Sequence, residues 1–285
     1  MGTARKVSPL LGESTAIEEL RDFIVGVSLR QDPVLLTGDS GTGKGLAARK
    51  IHAVGGSARA PFARVSCERF TESELDRLLF GAKRGVDDGL LRSSGRSTCY
   101  VAGLEYLPPA ITDRMSEFLL ERSGDQTRLV FSSRFRLEEL MEATVYQRDF
   151  LELISTYHKR IPPLRERIED IPILSNYQVW LQSSGEDFEA LWDAFEEELL
   201  HEMLTYPWPG NVRELNQFIR AFVGLEAAPG AEGELQEGEI PALFLRRAFE
   251  ELYEELQENL TLEGVSQRHD LVLPASTRES GFDEE

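Results

Sequence analysis

One stretch constrains this chain more than any other. A short apolar run, Pro33-Val34-Leu35-Leu36-Thr37, leads into Gly38-Asp39-Ser40-Gly41-Thr42-Gly43-Lys44, and a helical pattern follows from Leu46 to His52. A buried strand, a glycine-rich turn and a helix in that order form a phosphate-binding loop of the Walker A type. Glycines let backbone N–H groups converge on phosphate oxygens, and the start of the next helix adds its dipole. Lys44 would reach the β- and γ-phosphates as a point charge. The Ser or Thr that commonly follows the lysine and binds Mg²⁺ is here Gly45. The expected cofactor is ATP or ADP, held by Gly38, Asp39, Ser40, Gly41, Thr42, Gly43, Lys44 and Gly45, and Mg²⁺ stays open.

The surrounding pattern agrees with such a loop. Ala63 to Cys67, Thr98 to Ala102 and Arg128 to Ser132 are further short apolar strands, with helical stretches between them such as Ile111 to Glu121. Strands alternating with helices argue a parallel sheet covered on both faces. From about Asp170 the pattern turns helical: Phe188, Leu191, Trp192, Phe195, Leu199 and Met203 form one stripe, and Val212, Leu215, Phe218, Ile219 and Phe222 another. The expected organisation is an α/β unit over residues 8–172, a helical lid over 173–226, and an acidic remainder over 227–285. In that remainder a linker from Pro229 precedes an amphipathic pattern, Leu245, Phe249, Leu252, Tyr253, Leu256 and Leu260, opposite Glu250, Glu251, Glu254, Glu255 and Glu258. Packing on its own domain and docking on a partner are both open to such a helix.

Charge and cysteine use exclude several functions. The 285 residues carry a net charge of −19, so phosphate backbones repel the chain in bulk and direct DNA binding is not expected. Sixteen acids against four bases fall between Glu226 and Glu285. No apolar stretch approaches the ~20 residues of a membrane span, and no signal-peptide core opens the chain. Cys67 and Cys99 read as reduced core residues, and His52, His158, His201 and His269 are scattered without metal-ligand spacing. No metal site and a cytoplasmic location are expected.

Several blocks go beyond chemistry to a family. Leu36 to His52 resembles the start of the sigma-54 interaction domain, the AAA+ ATPase module of bacterial enhancer-binding transcription activators. The likeness includes Leu11-Gly12-Glu13-Ser14, Pro61-Phe62, Ser66-Cys67, Leu79-Phe80-Gly81, Pro162-Pro163-Leu164-Arg165-Glu166-Arg167 with Glu169-Asp170-Ile171, and Trp208-Pro209-Gly210-Asn211-Val212-Arg213-Glu214-Leu215. These blocks follow the family's order over about residues 10 to 225. The resemblance implies a P-loop AAA+ core with a parallel sheet flanked by helices, then a smaller helical lid. It also implies a ring ATPase that hydrolyses ATP between subunits and pushes on the sigma factor. By the same resemblance Arg213 is the lid's sensor for the nucleotide.

Against that pattern the working parts depart. The Asp-Glu pair that ends the Walker B strand, holding Mg²⁺ and polarising water, maps onto Ala102 and Gly103. Glu105 comes two residues later, beyond the expected strand, and misplacement by about 1 Å already costs ~10²-fold. The arginine-finger positions map onto Gln147 and Leu153, with Arg148 one residue out of register. The sensor after the Arg128 strand reads Ser133-Arg134, where the family has a small polar residue and Asn. The sigma-contacting loop, Gly-Ala-Phe-Thr-Gly-Ala in the family, reads Gly85-Val86-Asp87-Asp88-Gly89-Leu90. No receiver domain is expected before the module, and no DNA-binding helix-turn-helix is expected after Glu226.

The leading expectation is therefore a degenerate member: a protein that binds ATP or ADP, turns it over poorly or not at all, and regulates transcription through contacts with other AAA+ subunits, itself or an active relative. RNA polymerase carrying sigma-54 stays a partner candidate with an altered contact loop. One alternative is an active ATPase using Glu105 or Asp88 as its acid. Another is a nucleotide-independent scaffold whose acidic C-terminal helix does the binding.

Overall fold

The computed structural model describes residues 10–57, 60–81, 89–92, 97–121, 127–143, 148–182, 192 and 200–226. The Asp87-Asp88 loop tip, Gln147 and the acidic segment 227–285 lie outside the described residues. The chain divides into two compact units. One covers Glu19–Ile161, and the other joins residues 10–18 to those from Pro162 onward.

The first unit is built on a five-stranded sheet: β1 (Val34–Thr37), β2 (Phe62–Ser66), β3 (Thr98–Ala102), β4 (Arg128–Ser133) and β5 (Tyr157–Arg160). Its order is β2-β3-β4-β1-β5, and every pairing is parallel. Its helices are α1 (Thr15–Ser28, which begins in the other unit), α2 (Lys44–His52), α3 (Glu72–Phe80), α4 (Pro109–Glu121), α5 (Leu137–Glu142) and α6 (Arg148–Ile154). β1, β3 and β4 are buried at every position, as a sheet covered on both faces requires. In register, Cys99 lies opposite Leu129 and Val101 opposite Phe131. These alternate positions, with Leu35 and Val65, pack against Leu75, Leu79, Ile111, Met115, Phe150 and Ile154 from the helices. Complete burial of a Leu or Phe contributes roughly 2 kcal/mol, so this face is a main source of stability.

Polar side chains fix the element ends. The Glu74 carboxylate accepts from the Thr71 N–H at 2.8 Å and starts α3. Arg128 is buried and donates to the Val27 and Ser28 carbonyls at 2.8 and 3.1 Å, which terminates α1.

The second unit contains α7 (Ile171–Gln182), α8 (Leu200–Met203) and α9 (Asn211–Glu226) among its described residues. Its core gathers Leu164, Ile168, Ile171, Leu174, Tyr206, Trp208, Leu215, Ile219 and Phe222, with Leu11 packed against it. Asp170 is fully buried. It accepts from the Glu13 and Ser14 N–H groups, both at 2.9 Å, and from Ser14 Oγ at 2.7 Å, with the Arg167 guanidinium 3.5 Å away. Asn211 takes a left-handed backbone, φ 54°, and its side-chain oxygen accepts from the Leu164 N–H at 2.6 Å. Glu214, in the first turn of α9, accepts from the Gly210 N–H and from the Tyr206 hydroxyl, each at 2.8 Å. No helix among the described residues is long and apolar enough to cross a membrane.

Candidate nucleotide site

The phosphate loop lies where the sequence places it. β1 ends at Thr37, residues 38–43 turn, and α2 opens at Lys44. Gly38 has φ +146°, and a Cβ there would overlap the Ile161 carbonyl oxygen, so no other residue fits. Lys44 is wholly buried. Its Nζ donates to the Gly38 carbonyl and, at 2.8 Å, to the Asp39 carbonyl, while Thr42 Oγ1 donates to Asp39 at 2.8 Å. The lysine is thus folded into its own loop, with its ammonium satisfied by the carbonyls that an entering phosphate would replace. Ser40 is exposed at the turn, and Gly41, Gly43 and Gly45 are buried within it. The Gly38 N–H donates to the Ser133 carbonyl at 3.2 Å, tying the loop to the end of β4.

The end of β3 carries no acid. Ala102 is the last strand residue, in register with Ser132. Gly103 follows in the left-handed region at φ +80°, its N–H donating to the Ser132 carbonyl at 3.1 Å. The position therefore lacks a carboxylate and also holds a backbone that an L-residue adopts only under strain.

Glu105 sits just beyond, on a short 3₁₀ turn, Leu104–Tyr106. Its side chain is 9% exposed. One oxygen accepts from Ser133 Oγ at 2.7 Å, and the other faces Arg134 Nε at 3.6 Å. The Arg134 guanidinium lies 5.5 Å from the Tyr106 ring centre and 5.2 Å from that of Phe135. The sequence names Glu105, Ser133 and Arg134 as separate departures; the structure joins them, because β3 and β4 are neighbours. Near Glu105 the Cys67 thiol is buried and pushed up to about 12, chiefly by desolvation and then by that carboxylate.

The remaining positions are more dispersed. Leu153 is half-buried on α6. Arg148, on the same helix, is exposed and pairs with Glu152 at 3.0 Å, a surface contact of a few tenths of a kcal/mol. Arg213 is half-buried in the first turn of α9, in the second unit. Among the described residues no group of three or more His, Cys, Asp or Glu side chains is arranged to hold a metal.

Comparison with known proteins decides the family. The family model described as the sigma-54 interaction domain matches residues 10–158, more than half of the chain. The chain belongs to the sigma-54 interaction domain family. A second model, the AAA+ ATPase lid domain, matches residues 165–254 of this sigma-54 interaction protein. The transcriptional regulatory protein ZraR of Klebsiella oxytoca is 31% identical over 244 residues, covering 79% of this chain and 55% of ZraR. The regulatory protein AtoC of Escherichia coli is 29% identical over 248 residues, 80% of this chain and 53% of AtoC. The chain thus spans about half the length of these regulators. The crystal structure of NtrX from Brucella abortus in complex with ATP shares the fold, with a TM-score of 0.66 at 24% identity over 90% of this chain and 64% of NtrX.

Proposed function

We propose that this sigma-54 interaction domain binds ATP or ADP in the loop Gly38–Lys44, with Arg213 as lid sensor, and turns it over very slowly or not at all. On this reading it regulates transcription by joining or capturing other AAA+ subunits, its own or an active relative's. One observation carries the reading: the loop Gly38–Lys44 keeps its glycines and its buried lysine, while the end of β3, Ala102–Gly103, has no side-chain oxygen and turns left-handed at Gly103. The NtrX structures with ADP and with ATP support nucleotide as the ligand class. Phosphoryl transfer depends on charge stabilisation, and a single arginine finger is worth ~10³ or more in rate. With Gln147 and Leu153 at the finger positions and no Walker B acids, slow turnover is the physical expectation. The Asp87-Asp88 tip replaces an apolar contact with charge, so contact with sigma-54 polymerase by the family's route is weakened.

The test uses one purified sample. A fluorescent ATP analogue is titrated with and without Mg²⁺, and phosphate release is followed beside an active relative. The expected result is binding that Lys44→Ala reduces about a hundredfold, with phosphate release at least ~10³ below the relative. Steady release at the relative's rate overturns the reading. The position of Glu105 just past the C-terminal end of β3, bonded to Ser133, favours one alternative, an active enzyme with a displaced acid. In that case Glu105→Gln abolishes a measurable turnover.

A further inference from the structure

The donor set at this site does not fit a divalent cation. Gly45 supplies no hydroxyl, and Ala102 and Gly103 supply no side-chain oxygen. The nearby carboxylate, Glu105, already accepts from Ser133 and faces Arg134. What the site contains instead is a cation of its own. Ser133 is the register partner of Thr37 and its carbonyl accepts from the Gly38 N–H at 3.2 Å, so Arg134 follows directly on the strand end that borders the loop. Its side chain is 52% exposed, with the guanidinium held near two half-exposed rings rather than buried in its ion pair. The contact to Glu105 runs through Nε, which leaves the two-pronged Nη fork that suits phosphate oxygens.

We propose that Arg134 takes the place of the divalent cation, so that the site binds the terminal phosphates of a nucleoside triphosphate without metal, Lys44 and Arg134 supplying the counter-charge. Glu105 is then a positioning residue. Bonded to Ser133, it holds the guanidinium at the neighbouring ends of β3 and β4. This rests on reading Gly38–Lys44 as a nucleotide site, and it adds what neutralises the nucleotide there. A triphosphate carries most of its excess charge at the γ-group, so an added fixed cation favours ATP over ADP. A metal-dependent site changes affinity when its metal is chelated, whereas a guanidinium does not, because it stays charged at any working pH.

The full chain is titrated with fluorescent ATP and ADP analogues, once in excess Mg²⁺ and once in EDTA. The variants are Arg134→Gln, Arg134→Lys and Lys44→Ala, each checked for an unchanged melting curve. Wild-type ATP affinity is expected to differ less than about threefold between the two buffers. Arg134→Gln is expected to weaken ATP in EDTA about tenfold or more and to affect ADP less, as loss of a charge-assisted contact implies. Arg134→Lys, which keeps the charge and loses the fork, falls between. A tenfold tightening of wild type by Mg²⁺, or an Arg134→Gln variant that binds ATP unchanged in EDTA, overturns the proposal. Wild type that binds no nucleotide in either buffer, or binding that survives Lys44→Ala, overturns the reading of the loop and this proposal with it.

Discussion

At the scale of single residues, the blocks that carry the family likeness turn out to be structural more than chemical. Gly12 to Ser14 and Asp170 belong together because Asp170 collects two N–H groups and a hydroxyl in a fully buried place. Asn211 and Glu214 stitch backbone in the same way. On the proposed reading, this is how so recognisable a sequence departs at the catalytic positions: these hydrogen bonds do not pass through them. Asp170→Ala leaves the Glu13 and Ser14 N–H groups without this acceptor and removes the carboxylate beside Arg167. It is expected to cost about 3–5 kcal/mol, read as a lower midpoint in urea unfolding. A variant within 1 kcal/mol of wild type would show that the Asp170 cradle contributes little. The phosphate loop was legible because its residues are contiguous. The Glu105–Arg134 pair was not, because 28 residues separate Glu105 from Ser133 and only the adjacency of β3 and β4 brings them together.

At the scale of elements, four strands were legible as apolar runs, and the fifth was not. β5, Tyr157-His-Lys-Arg160, is half-buried at every position, because it is an edge strand that pairs with β1 alone. An edge strand needs little apolar content, so periodicity gives it no signal. His158 ties β5 to β1 by its side chain as well, with Nε2 2.8 Å from Thr37 Oγ1. His52 makes the matching contact from α2 to β3, with Nδ1 2.8 Å from Thr98 Oγ1. Desolvation holds both imidazoles below their ordinary value of 6.5. The neutral rings are therefore favoured in the fold, and the unfolded chain takes up their protons first as pH falls. Their contribution is complete above pH 6.5 and is lost as pH drops through the lowered folded values. The melting temperature of wild type is expected to fall more steeply between pH 6.5 and 5 than that of a His52→Gln, His158→Gln double variant. Parallel curves would remove the histidines from the account.

At the scale of the whole molecule, charge is the dominant fact. A net −19 chain meets duplex DNA with repulsion at every phosphate. Fluorescence anisotropy with a labelled duplex at physiological salt is expected to show no binding up to about 100 μM, the weak end of non-specific affinity. Salt-sensitive binding at low micromolar concentration would reveal a basic face that the sequence balance hides. The α/β core and the helical second unit were both legible, since alternating and then continuous helical periodicity marks them. Residues 10–18 join a unit whose remainder begins at Pro162. That arrangement sets a timetable for a ribosome. The Ser14 hydroxyl waits for Asp170, 156 residues later, before its buried bond can form. At about 5–20 residues per second the wait lasts roughly 8–30 s. In that time all five strands, the last ending at Arg160, are synthesised before the N-terminal segment 10–18 finds its partner.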